Sequence, residues 1–190
     1  MSAAAHPWLA TDRARSLLAL GSGALLATSV VNPSGEPFPA IAFPFAGLMI
    51  VALEGATVKR AAWLGWLAGF GCNAVAFYWI VGLLEAFAYF PWYAALPVAA
   101  LLWAAQGLTL ALAGAFAASV RQAGVPLWVG FPLATIATFG AAPALFPWNP
   151  SASLVDWTAV AQVAELGGAA ALDGSFPFTG PGAFEAMRRR

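Results

Sequence analysis

The sequence predicts an all-α fold, a polytopic membrane helix bundle of about five transmembrane helices with an amphipathic helix in one interface. Three observations carry this. Residues 61–84 contain no charged side chain, and as a helix they would run roughly 36 Å, past a hydrocarbon core of about 30 Å. The chain is 62% hydrophobic and 8% charged, whereas soluble domains are about 45–50% apolar and about 25% charged. Lysine and arginine, finally, fall in alternate loops between the apolar segments.

The elements follow in order. Residues 16–32 form the first span. Arg13 and Arg15 ahead of it resemble the start of a signal peptide, but no small-residue cleavage site precedes a hydrophilic stretch, so the helix is read as retained. The break Asn32-Pro33-Ser34-Gly35-Glu36-Pro37 leads to a short second span, 38–53, which Pro39 and Pro44 would kink. Glu54 to Arg60 separates it from the third span, 61–84. Glu85 to Trp92 precedes the fourth, 94–120, and Arg121-Gln122-Ala123-Gly124 precedes the fifth, 125–146.

Loop charge sets the expected orientation. With the N-terminus in the cytoplasm, Arg13, Arg15, Lys59, Arg60 and Arg121 lie inside, and loops 32–37 and 85–93 lie outside without a single cation. Trp8, Trp63 and Trp128 then fall near inner ends, and Trp92 and Trp148 near outer ends, as an interfacial belt requires. Trp103 lies deeper and is expected to pack between helices.

Small residues mark the faces that should meet. Gly65 and Gly69 make a GxxxG step, and Gly107, Ala111, Ala115 and Ser119 recur every four residues. Beyond the fifth span, Ser153 and Asp156 resemble a helix start, with Leu154, Trp157, Ala161 and Ala164 opposite Thr158, Gln162 and Glu165. That split suits a helix on the outer surface. The expected organisation is a cytoplasmic tail over 1–15, a helix bundle over 16–146, an outer loop and amphipathic helix over 147–172, and a disordered tail over 173–190. Arg188-Arg189-Arg190 opposes this topology unless 157–172 also crosses.

The inventory of reactive groups excludes several functions. A net charge of +0 with no basic stripe gives no nucleic-acid partner. One histidine, His6, and one cysteine, Cys72, provide no metal site, and no cofactor-binding motif occurs. Cys72 is read as a packing residue, because the only lysine, Lys59, lies about 20 Å away along the same helix. No catalytic residue is assigned. Asn73 and Gln106 are polar groups inside spans, and an interhelical hydrogen bond worth about 0.6 kcal/mol is the preferred reading. Glu85, near Trp92 at the outer end, is placed to orient a lipid headgroup or an amine, and Tyr78 and Trp79 at the outer end of the third span are interfacial aromatic anchors.

Three stretches carry a resemblance: FPAIAFPF at 38–45, GFGCNAVAFYWI at 69–80, and FPWN at 146–149 leading to AQVAELGG at 161–168. In this order they resemble the N-terminal membrane domain of bacterial apolipoprotein N-acyltransferase, over roughly residues 13–170. The stretch at 137–143, ATFGAAP, departs from the acidic–basic pair that family often has there.

The resemblance implies a multi-pass domain of the bacterial inner membrane that presents phospholipid and lipoprotein to a nitrilase-like domain. It also implies that Tyr78 and Trp79 line the face where acyl chains arrive, and that with Glu85 and Trp92 they are the candidates for facing lipid or substrate. In the nitrilase-like domain a glutamate–lysine–cysteine triad passes an acyl chain to the lipoprotein's N-terminal cysteine amine. The 190 residues stop short of such a domain, so the chain alone is expected to be inactive, with a separate nitrilase-like partner as one route to activity. The competing expectations are a small transporter or channel subunit and a structural membrane partner. Against transport, the spans hold almost no ionisable residues.

Overall fold

The structure, a computed structural model, describes residues 11–29 and 43–141, together with the single positions 146, 158, 162, 165 and 168. Seven helices occupy these residues, and no strand occurs among them: α1 (Asp12–Thr28), α2 (Phe43–Leu53), α3 (Val58–Ala76), α4 (Ile80–Ala88), α5 (Trp92–Gln106), α6 (Leu108–Gln122) and α7 (Leu127–Ala141). The all-α expectation holds. The interfacial helix expected within 147–172 and the tail 173–190 lie outside the described residues, apart from Thr158, Gln162, Glu165 and Gly168. Of these, Thr158, Gln162 and Glu165 are exposed, and the Gln162 N–H donates to the Thr158 carbonyl at 3.1 Å. Trp8, Trp148 and loop 32–37 are likewise outside.

Helix starts follow from capping. Thr11 accepts the Ala14 N–H with its hydroxyl and starts α1 at Asp12, ahead of the apolar run that marked the first span. Thr57 does the same for the Arg60 N–H and starts α3. Five helices then close a ring in the order α3, α1, α2, α7, α6 and back to α3. Helices α1 and α3 run parallel, with Arg60 reaching Asp12 at their starts. Helix α6 runs antiparallel to both α3 and α7.

The contact between α3 and α6 depends on missing side chains. A Cβ built on Gly65 would collide with the Leu110 carbonyl, and one on Gly69 would lie 2.6 Å from the Gly107 Cα. The expected GxxxG step therefore meets α6 as proposed. The stripe on α6 needs correction. Gly107, Ala111, Gly114 and Ala118 are buried, whereas Ser119 is exposed and Ala115 only half-buried. A strict four-residue spacing drifts about 40° per step on a helix of 3.6 residues per turn, so alternating steps of four and three keep the face.

Three arginines join one end of the ring. The Arg15 guanidinium donates to the Glu54 carbonyl at 2.8 Å, and that of Arg121 donates to the Ala56 carbonyl at 3.0 Å, so both satisfy backbone acceptors in the turn between α2 and α3. Arg60 donates to the Asp12 carbonyl at 2.7 Å and the Ser16 hydroxyl at 3.0 Å, and its ion pair with Asp12 is 3.3 Å long. Hydroxyls within the ring turn back onto their own helices, as Ser22 does to Ala19 and Thr135 to Phe131.

Among the described residues, one helix, Trp92–Gln122, is long and apolar enough to cross a membrane by length and composition; it joins α5 and α6 through Gly107 and runs 31 residues. It keeps Leu101, Leu108, Leu112 and Phe116 exposed. The expectation of one unbroken helix over 61–84 is corrected: α3 ends at Ala76, and α4 leaves it at 56°. The two pass the same test only as a bent pair. Neither proline nor glycine stands at residues 77–79. The interruption lies instead where the Trp103 indole donates to the Phe77 carbonyl at 3.2 Å, a side chain entering the backbone ladder. Helices α2 and α7 are described over Phe43–Leu53 and Leu127–Ala141, within the spans expected at 38–53 and 125–146.

Candidate functional site

The elbow between α3 and α4 is built from the aromatic run Phe77-Tyr78-Trp79. Phe77 turns inward and is buried, while Tyr78 and Trp79 turn outward. The Phe77 carbonyl accepts from the Ile80 N–H at 3.2 Å as well as from Trp103. Trp103 itself is 8% exposed and meets the Phe70 ring edge-on at 6.3 Å, so it packs between helices as expected.

Beyond the elbow, α4 and the first half of α5 form a hairpin. Its tip is Tyr89, which adopts a left-handed backbone at φ 55°, with the Phe90 N–H closing back to the Leu84 carbonyl at 3.2 Å. Phe87, Tyr89, Trp92 and Tyr93 are all exposed on this hairpin. Glu85 is exposed on α4, the one acid among them. The four residues singled out from sequence thus occupy one region: Tyr78 and Trp79 on the elbow, Glu85 on α4 and Trp92 at the start of α5. That region lies at the opposite end of α3 from Arg60. The described ring contacts tie Trp79 to Phe77 and Phe146, and Trp92 to Tyr93.

Phe146 was prominent in sequence only as the first residue of FPWN. In the structure its ring lies 5.6 Å from that of Phe77 and 6.0 Å from that of Trp79. Its backbone N–H donates to Gln106 Oε1 at 3.1 Å. Gln106 Nε2 donates in turn to Asn73 Oδ1 at 3.4 Å, and Asn73 Nδ2 to the Gly69 carbonyl at 2.7 Å. The expected interhelical hydrogen bond between span polar groups is therefore Asn73 with Gln106, and it extends one residue further than the sequence indicated. Lys59 and Cys72 occupy α3 together, Lys59 exposed at its first turn and Cys72 buried.

A family model described as the apolipoprotein N-acyltransferase N-terminal domain matches residues 22–176 of the chain. The chain belongs to this family. A search of curated proteins finds no match. The match covers the whole of α2 to α7 and the last part of α1, so the elbow, the hairpin and Phe146 all belong to the N-acyltransferase N-terminal domain. The family is a membrane domain of a bacterial enzyme, and the long apolar helix Trp92–Gln122 fits it.

Proposed function

We propose that this N-terminal domain acts in acyl transfer from phospholipid to the N-terminal cysteine amine of lipoproteins, as the membrane half that brings both to a nitrilase-like catalytic domain. In this reading the chain crosses the bacterial inner membrane about five times, with the arginine-bearing end of the ring in the cytoplasm. Helix α3 has 19 residues, roughly 28 Å of rise against a hydrocarbon core of about 30 Å. With Arg60 at one boundary, the elbow then reaches the other. Tyr78, Trp79 and the hairpin aromatics lie in the interface where such rings are favoured, and Glu85 is available to a headgroup amine.

The observation that carries this reading is the gathering of exposed aromatic residues at the end of the bundle opposite the arginines, in a chain of this family. The reading holds for a catalytic domain on the same polypeptide or on a separate one; the 190 residues themselves offer Cys72 and Lys59 about 20 Å apart on one helix, which is no acyl-transfer centre. Transport gains no support, because Asn73 and Gln106 are engaged with each other.

The test is acylation of a lipoprotein in proteoliposomes, read by mass spectrometry of its N-terminus. The 190-residue chain by itself should leave the amine free, and co-reconstitution with a nitrilase-like domain of this family should add an acyl chain. Acylation by the chain alone, or none in the combined system, would overturn the assignment.

A further inference from the structure

We infer that Gln106 is a positioning residue for the exposed pair Tyr78 and Trp79, acting through Phe146. The inference rests on the elbow's geometry and stands whether or not acyl chains meet the pair. Residues 77–79 lie between two helices, where backbone bonds tie the Phe77 N–H to the Asn73 carbonyl and the Leu83 N–H to the Trp79 carbonyl. Side-chain contacts add to these: the hydrogen bond from Trp103 to the Phe77 carbonyl, and the ring of Phe146 set against both Phe77 and Trp79. Phe77 is anchored in the core, while Trp79 remains 42% exposed; their rings meet directly at 6.4 Å, and the Phe146 ring packs against both from a distant part of the chain.

Gln106 holds that ring by the backbone. Its amide is used at both ends, the oxygen accepting from the Phe146 N–H and the nitrogen donating to Asn73. Asn73 is itself tied to the Gly69 carbonyl, within the turn of α3 that presses on α6. The polar chain from Gly69 to Phe146 thus relates the elbow to the close backbone contact between α3 and α6. An apolar residue of Gln106's length could fill the space, but it would leave the Phe146 N–H and the Asn73 oxygen without this partner.

The test is pulse electron paramagnetic resonance on the full chain in lipid nanodiscs, in a Cys72→Ser background. Spin labels at Phe87→Cys and Leu112→Cys report α4 against α6, and labels at Leu17→Cys and Leu112→Cys report the ring itself. All three sites are exposed. Gln106→Leu and Phe146→Ala should each remove the single narrow distance peak of the first pair and leave the second unchanged. The double variant should broaden the first pair no more than either single one. Gln106→Met replaces Gln106→Leu if the latter does not fold. An unchanged first pair overturns the inference. Broadening of both pairs overturns it as well, since that is a general loss of stability. A response to only one of the two residues overturns it too, because they would then not act as one unit.

Discussion

Tyr89 holds a backbone conformation that L-residues with a Cβ seldom adopt, at φ 55°. The left-handed region costs roughly 1–2 kcal/mol for such a residue, and its side chain is 88% exposed, so packing does not offset that cost within the chain. Tyr89→Gly is therefore expected to raise the stability of the detergent-solubilised protein by about 1 kcal/mol. A lower unfolding midpoint would show that the tyrosine ring stabilises the tip after all. Trp103 gives the complementary case. Trp103→Phe keeps most of the ring but removes the donor at the Phe77 carbonyl. A loss of about 0.6 kcal/mol is expected, with α4 more open to hydrogen exchange than α6. Equal exchange in the two helices would deny the indole a role at the elbow.

At the scale of elements, close approach decides where glycine matters. Gly65→Val must displace the Leu110 carbonyl, so it should destabilise the α3–α6 pair by about 1–3 kcal/mol. Gly21 in α1 has nothing within 4 Å of an added Cβ. Gly21→Ala should stabilise α1 by about 0.5–1 kcal/mol through backbone entropy. Thermal unfolding of both variants in one detergent checks the contrast, and similar effects at the two sites would count against the backbone contact. The existence of the helices was legible because apolar runs between charged or proline-rich breaks are a local property of the chain. The elbow was not legible, since no proline or glycine marks residues 77–79 and its cause is Trp103, which is 26 positions away from Phe77. The contact from Gln106 to Phe146 spans 40 positions and was hidden for the same reason. The α6 face was read one step out of phase, because frequent alanine makes several stripes look alike.

For the molecule as a whole, the loop arginines gather at one end and Tyr78, Phe87, Tyr89, Trp92 and Tyr93 are exposed toward the other, while the exposed Trp63 and Trp128 share the arginine end. The place of the cations was legible from sequence because it depends only on which breaks carry arginine. Tyr78, Trp79, Glu85 and Trp92 were singled out from sequence, whereas Phe87 and Tyr93 were not. Orientation is tested by single cysteines in a Cys72→Ser background. A membrane-impermeant maleimide added to intact spheroplasts should label Tyr89→Cys and spare Arg13→Cys until the membrane is opened. The reverse order would invert the assignment, and labelling of both from outside would rule out a bundle that crosses between them.

Closure of the arginine end also has a consequence in time. Arg121 donates to the carbonyl of Ala56, a residue 65 positions earlier in the chain. At about 5–20 residues per second, the ribosome delivers that donor roughly 3–13 s after its acceptor. During this interval the turn that joins α2 to α3 has emerged while the donor for its Ala56 carbonyl has not yet been made. That turn is thus completed only when the last turn of α6 arrives beside it.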